Sequence, residues 1–168
     1  GTLIAKARQL EKAGAESIVI ATNTMHKVAP QIEDAVKLPL LHIVDAVAEH
    51  LKQNNVNQVG LLGTRFTMQQ PFYRERLEQQ NIKVLIPGES DGNTVDNIIF
   101  KELCHGQFTD SARKQYLRII EDLAAQGAQG VILGCTEIGL LVQQEHSALP
   151  LFDTTELHCR AIADWMLD

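Results

Sequence analysis

The sequence predicts an α/β fold built on parallel sheet, and three observations carry that expectation. Short apolar runs, such as Ser17-Ile18-Val19-Ile20-Ala21, Val59-Gly60-Leu61-Leu62-Gly63 and Val131-Ile132-Leu133, alternate with segments of helical periodicity. These runs break abruptly into polar loops, the place where open α/β sheets put their reactive groups. One stretch of the chain is also written twice, with the same landmarks in the same order.

Leu3, Ala7, Leu10 and Ala13 recur at helical spacing, so residues 2–13 read as an amphipathic helix stopped by Gly14. A parallel α/β unit ordinarily opens with a strand, and none precedes this helix. The expectation is that an N-terminal strand is missing from this chain. Residues 17–21 suit a strand buried on both faces, broken at Thr22-Asn23-Thr24-Met25-His26. Pro30 opens a helix over residues 31–36, residues 38–43 return as a strand, and residues 44–53 form a helix stopped by Asn54-Asn55. Residues 59–63 are the next buried strand and Thr64-Arg65-Phe66-Thr67 its exit loop, with the Thr67 hydroxyl placed to cap the helix that carries Phe72, Tyr73, Arg76 and Leu77. A strand over residues 83–86 leads into the turn-rich stretch 87–92, followed by helices over residues 95–104 and 110–125. After the strand at Val131 and the loop at Cys135, residues 149–152 form the last strand. Residues 155–167 close the chain as a helix in which Trp165 and Met166 read as core. Cys104 and Cys159 lie on helical faces and read as packing.

The duplicated unit aligns Ala13-Gly14-Ala15-Glu16-Ser17-Ile18-Val19-Ile20-Ala21-Thr22-Asn23-Thr24 with Gln126-Gly127-Ala128-Gln129-Gly130-Val131-Ile132-Leu133-Gly134-Cys135-Thr136-Glu137. Each copy has a helix-stopping Gly-Ala, an aliphatic strand, a small residue, a hydroxyl or thiol and two polar residues. Each is followed by Leu-Pro-Leu, at Leu38-Pro39-Leu40 and Leu149-Pro150-Leu151. Repeats of this kind mark repeated supersecondary units. The chain then divides into a first α/β half of residues 1–54 with 153–168, incomplete at its N-terminus, and a second half of residues 55–152. Two such pseudo-symmetric halves face each other across a cleft, which would set Thr22 and Cys135 on opposite walls of one pocket.

Composition narrows the chemistry. Among 168 residues, 15 Lys and Arg stand against 21 Asp and Glu, and the basic residues are scattered, which argues against a nucleic-acid partner. Three cysteines without paired-ligand spacing argue against a disulfide framework or a metal site and for a reducing compartment. No apolar run approaches the roughly 18 residues of a membrane span, so a cytoplasmic location is expected.

Two proton-handling groups facing a small molecule from opposite sides suit removal of a proton from carbon on one face and its return on the other. A thiol serves because its ordinary pKa of about 8.5 falls further near a helix N-terminus, and the segment after Cys135 reads as the start of a helix. A free cysteine beside a strand also packs as a small hydrophobe, and that reading of Cys135 stands beside the first. The Thr22 hydroxyl is far too weak an acid to rest as an anion, so the two walls are unequal. Asn23, Thr24 and Thr136, with the backbone N–H groups around them, could hold a carboxylate or could simply cap loops. Glu137, two residues from Cys135, could assist the thiol or cap a helix. His26, His42, His105 and His158 could also assist a thiol, although a histidine near a strand end commonly serves as a structural donor.

Thr22-Asn23-Thr24-Met25-His26, Gly63-Thr64-Arg65-Phe66-Thr67-Met68, Gly134-Cys135-Thr136-Glu137 and Phe152-Asp153-Thr154-Thr155-Glu156-Leu157-His158 together resemble the aspartate/glutamate racemase family, along essentially the whole chain. The resemblance implies a homodimer of two pseudo-symmetric α/β halves. It also implies 1,1-proton transfer at Cα of an acidic amino acid, by one cysteine from each half, with no cofactor and no metal. The second cysteine maps to Cys135, whereas Thr22 stands at the position of the first. Substrate-binding positions of the family map to Asn23, Thr24, Thr67 and Thr136, with Thr64 close by, and Glu137 is grouped with them. Thr22 therefore departs from the family pattern, and a preference for one enantiomer is expected. Two rival readings remain at this point: a single-cysteine decarboxylase or isomerase of small dicarboxylates, and a degenerate amino-acid-binding protein.

Overall fold

Strand and helix alternate to form two parallel sheets in the computed structural model, which describes residues 1–168. The first unit comprises α1 (Thr2–Lys12), β1 (Ile18–Val19), a 3₁₀ turn (Thr24–Val28), α2 (Ala29–Glu33) and β2 (Leu40–Leu41). There follow α3 (Ile43–Gln53), β3 (Gln58–Leu62), α4 (Arg65–Gln69), α5 (Pro71–Glu78), β4 (Lys83–Leu85), α6 (Glu89–Lys101), α7 (Asp110–Ala125), β5 (Val131–Leu133), α8 (Ile138–Leu141), β6 (Leu151–Asp153) and α9 (Thr154–Leu167). β1 pairs with β2, and the second sheet runs β4-β3-β5-β6, every pair parallel.

Alternation along the central strands sorts their side chains to two faces. Leu62, Val131 and Leu133 meet Val95, Ile98 and Ile99 of α6 and Tyr116, Ile119 and Leu123 of α7. Val59, Leu61 and Ile132 point the other way, onto Val44, Val47 and Leu51 of α3 and Tyr73 and Leu77 of α5. The second sheet is thus covered by helices on both faces, as all-parallel strands require. The apolar stripe of α3, counted with the first half in the sequence, packs into this second core. A smaller core of Ala7, Ile18, Ile20, Ala29, Ile32 and Val36 holds the first unit together.

The two copies of the repeat are built alike. Gly14 and Gly127 both take left-handed backbone, with φ of 89° and 98°, a conformation that favours glycine after a helix. Ile18 N–H donates to the Pro39 carbonyl at 2.8 Å, and Val131 N–H donates to the Pro150 carbonyl at 2.9 Å. Each Leu-Pro-Leu therefore serves one purpose, delivering a strand beside the first strand of its own copy: Ile18 pairs with Leu40, and Val131 pairs with Leu151.

Several local expectations give way. Val19 is 39% exposed, so β1 is not buried on both faces; its sheet has just two strands. The turn-rich stretch after Pro87 is helical from Glu89, because Gly88 serves as N-cap and Glu89 and Asp91 place negative charge in the first turn. Thr67 does not cap α5. Thr64 caps the preceding α4, its hydroxyl accepting from Thr67 N–H, and Thr67 lies inside α4, while α5, with Gln70 at its N-cap, starts without a side-chain cap. Trp165 and Met166 are not core, for α9 buries only Thr154 and His158 and its last turns lie open. Cys104 and Cys159 are exposed rather than packed inside. No helix is long and apolar enough to cross a membrane.

Candidate active site

The carboxyl ends of β3 and β5 lie side by side, with Leu62 opposite Leu133. The next residues, Gly63 and Gly134, allow these ends an unusually close approach. Gly134 N–H donates to the Leu62 carbonyl at 2.7 Å, and a Cβ on Gly134 would stand 2.9 Å from that same oxygen. Thr67, which is 1% exposed, fills the space above, its methyl group facing both glycines. Its hydroxyl lies 3.3 Å from that of Thr64 and 3.4 Å from that of Thr24. Three threonines from two separate stretches of the chain thus form a run of hydroxyls next to the Cys135 loop.

Asn23 ties the first unit to the end of β5. Its Nδ2 donates to Thr154 Oγ1 at 2.9 Å, and the Thr154 hydroxyl donates to the Leu133 carbonyl at 2.9 Å. The Thr22 hydroxyl accepts from Met25 N–H at 3.2 Å. The Thr22 carbonyl accepts from His26 Nδ1–H at 2.6 Å, while His26 Nε2 accepts from Ile43 N–H at 3.2 Å. That pair of bonds requires the neutral Nδ1–H tautomer. Burial pulls the His26 pKa down to about 4, against the pull of its bond to Thr22. Burial, then the neighbouring His26, lowers His42 to about 3. His42 Nδ1 caps α3 by accepting from Val44 N–H, and the His26 and His42 ring centroids are 4.4 Å apart. His158, also lowered by burial, donates Nε2–H to the Leu41 carbonyl at 2.7 Å. These three histidines hold loops in place as neutral groups; His105 is exposed on the turn after α6.

Thr22 and Thr136, one from each copy, border a single cavity of about 100 Å³ together with Asn23, Thr155, His158 and Cys159. Cys135 lies beside it in the chain but is not among its lining residues; its side chain rests against the core cluster under α6 and α7. The Cys135 thiol donates to Glu137 Oε2 at 3.0 Å. Contrary to the expected lowering, burial and then the Glu137 carboxylate push this thiol up to about 12, and the same bond holds Glu137 below the usual carboxylate range. The helix that follows, α8, has just four residues and offers little dipole to oppose those two effects.

Among the residues singled out from sequence, the structure therefore brings together Thr22, Asn23 and Thr136 at the cavity, Thr24, Thr64 and Thr67 in the hydroxyl run, and Cys135 with Glu137. It adds Thr154, Thr155 and Cys159. The closing motif Phe152-Asp153-Thr154-Thr155-Glu156-Leu157-His158 pointed to this stretch, but nothing local marked Thr154 as a bridge to Asn23, 131 residues away.

Residues 2–162 match the family model of Asp/Glu/Hydantoin racemases. The fold superposes on the crystal structure of a candidate Asp/Glu racemase from Yersinia pestis with a TM-score of 0.95 at 51% identity, covering 99% of this chain and 74% of that one. It also superposes on an aspartate racemase homologue from Pyrococcus horikoshii OT3, with a TM-score of 0.92 at 36% identity and the same two coverages, 99% and 74%. The broad specificity amino-acid racemase RacX of Bacillus subtilis (strain 168) is 27% identical over 155 residues, 91% of this chain and 66% of that protein.

Proposed function

Because the chain belongs to the Asp/Glu/Hydantoin racemase family, a family of isomerases, we propose that it exchanges the Cα proton of aspartate or glutamate, with Cys135 as the carbon base and Thr22 at the opposite position. The observation that carries this reading is the thiol-to-carboxylate bond between Cys135 and Glu137 at the carboxyl end of β5. A thiol held up to about 12 rests protonated, so Cys135 becomes the base only once its proton has left for solvent, with the adjacent Glu137 carboxylate as the relay in its path. The thiolate then takes the Cα proton, and the carbanion's electron pair spreads into the substrate α-carboxylate. The hydroxyls of Thr24, Thr64, Thr67 and Thr136 supply donors for that developing charge without a fixed cation. On the opposite face the proton comes from the Thr22 hydroxyl or from a water that it holds, a poorer donor than a thiol. The cycle is balanced by solvent protons and calls for no cofactor or metal, as the family resemblance implies. A homodimer acting in the cytoplasm is proposed on the same resemblance, and sedimentation of the purified protein checks the oligomeric state.

Replacing Cys135 tests the chemistry directly. Cys135→Ser is expected to lower Cα-proton exchange on aspartate by about 10²–10⁴-fold, the range of a lost acid–base group. Full activity in that variant would overturn the reading.

A further inference from the structure

Of the three buried histidines, His158 alone borders the cavity that Thr22 and Thr136 share. It stands on one face of α9 with Thr155, Cys159 and Ile162, which line the same cavity at helical spacing. The ring is 4% exposed and is held from one side: a carbonyl can only accept, so the 2.7 Å contact with the Leu41 oxygen places a proton on Nε2. Burial lowers the pKa from 6.5 against the pull of that bond, which keeps the ring neutral and leaves Nδ1 as a bare lone pair. Nδ1 has no partner in the protein, and unlike Asn23 Oδ1 and Tyr73 Oη it is not sealed from solvent. Among the buried residues on the cavity wall, Asn23, Ile43 and His158, only the imidazole binds a proton near neutral pH. The titratable groups around it carry no free charge. His26, its ring centroid 5.8 Å away, and His42 beyond are neutral, Asp45 of α3 is taken up by Arg76, and Glu156 of α9 pairs with Arg160.

We infer that His158 Nδ1 is a catalytic base, the group that takes the Cα proton leaving on the Thr22 face. The inference rests on the racemase reading for the reaction and adds to it a residue with no role there. In this direction the Cα–H proton passes to Nδ1, the electron pair spreads into the α-carboxylate, and the Cys135 thiol gives its proton to the other face of Cα. The imidazolium then loses a proton to solvent and the thiolate regains one. A lone pair on one wall and a proton on the other is the resting state that this direction needs, whereas Cys135 acting as base must first lose its proton. The two enantiomers therefore meet bases of different kinds.

Cα-proton exchange in deuterated water, followed for each enantiomer of aspartate between pH 6.5 and 9, reads the two bases apart. The enantiomer exchanged through His158 is expected to keep a level rate, since a neutral imidazole is unprotonated throughout. The enantiomer exchanged through Cys135 is expected to speed up by about tenfold per pH unit, as the thiolate fraction of a thiol near 12 does. His158→Gln has an amide that can still donate to the Leu41 carbonyl but cannot take a proton. It should slow the level enantiomer by about 10²–10⁴-fold and leave the rising one within about twofold. Two pH profiles of the same shape, or equal slowing of both enantiomers in His158→Gln, would overturn the assignment while the racemase reading stands. Should His158→Gln fail to fold, the wild-type profiles decide alone. Wild-type protein that exchanges neither enantiomer removes the racemase reading and the assignment with it.

Discussion

The two copies of the repeat share a backbone and differ at their tips. Both start at a left-handed glycine, both run a short strand, and both receive a second strand through a Pro carbonyl. Yet β1 lies in a two-stranded sheet with Val19 exposed, whereas β5 is wholly buried between β3 and β6. The surroundings then set the chemistry. At the first tip Thr22 is exposed and is held by a neutral His26. At the second tip Cys135 is half-buried and donates to a carboxylate. One supersecondary unit thus presents a hydroxyl beside a two-stranded sheet and a thiol at the end of a buried one, and on the proposed function these two positions would handle protons unequally.

The largest change should come from separating Cys135 from its carboxylate. In a background where the exposed Cys104 and Cys159 are serine, Glu137→Gln is expected to move two readouts in opposite directions. Alkylation of Cys135 at pH 9 speeds up, because the carboxylate that helps hold the thiol near 12 is gone. Cα-proton exchange slows by about tenfold to hundredfold, because the proton relay is gone as well. If both rates rise together, Glu137 is not the relay.

Next in size is the support under each tip. In the repeat, Gly130 of the second copy corresponds to Ser17 of the first. A Cβ on Gly130 would collide with the Phe152 ring and stand 2.9 Å from the Pro150 carbonyl. Gly130→Ala is expected to cost about 1–3 kcal/mol in urea unfolding, as overpacking does, while Ser17→Ala stays within about 0.5 kcal/mol. Equal costs would show that the two strands are equally confined.

Acid provides a milder probe of the first tip. His26 and His42 titrate at about 4 and about 3 in the folded protein, below their ordinary 6.5. The unfolded chain therefore takes up protons first as the pH falls. Their contribution is complete above pH 6.5 and is lost through the window down to about pH 4 and then 3. Unfolding free energy should fall there by up to about 1.4 kcal/mol per pH unit for each histidine. His42→Asn, which keeps an N-cap, should remove part of that slope. A flat profile between pH 6.5 and 4 would show that these rings are not buried as neutral groups.

Much of this architecture could be read from the chain because it rests on local chemistry. The Gly14 and Gly127 stops, the aliphatic strands and the two Leu-Pro-Leu stretches are contiguous signals, and they led to Thr22 and Cys135 as paired positions. What escaped depends on distance or on competition. The Asn23-Thr154-Leu133 relay joins three separate elements, so no spacing announces it. The raised thiol follows from burial against the second core together with a carboxylate two residues on, and these outweigh the short α8 that was expected to lower it. The start of α6 was hidden because Gly88 and Gly92 read as turn residues, although Glu89 and Asp91 favour the helix N-terminus. Trp165 and Met166 looked apolar enough for a core that α9 does not bury.

The inequality of the two tips is tested most directly by Cα-proton exchange in deuterated water, measured separately for each enantiomer of aspartate and glutamate, in the wild type and in Thr22→Cys. The wild type is expected to exchange one enantiomer at least about tenfold faster than the other, and Thr22→Cys, by supplying a thiol at the first tip, should bring the two rates together. Equal rates from both enantiomers in the wild type would contradict the account.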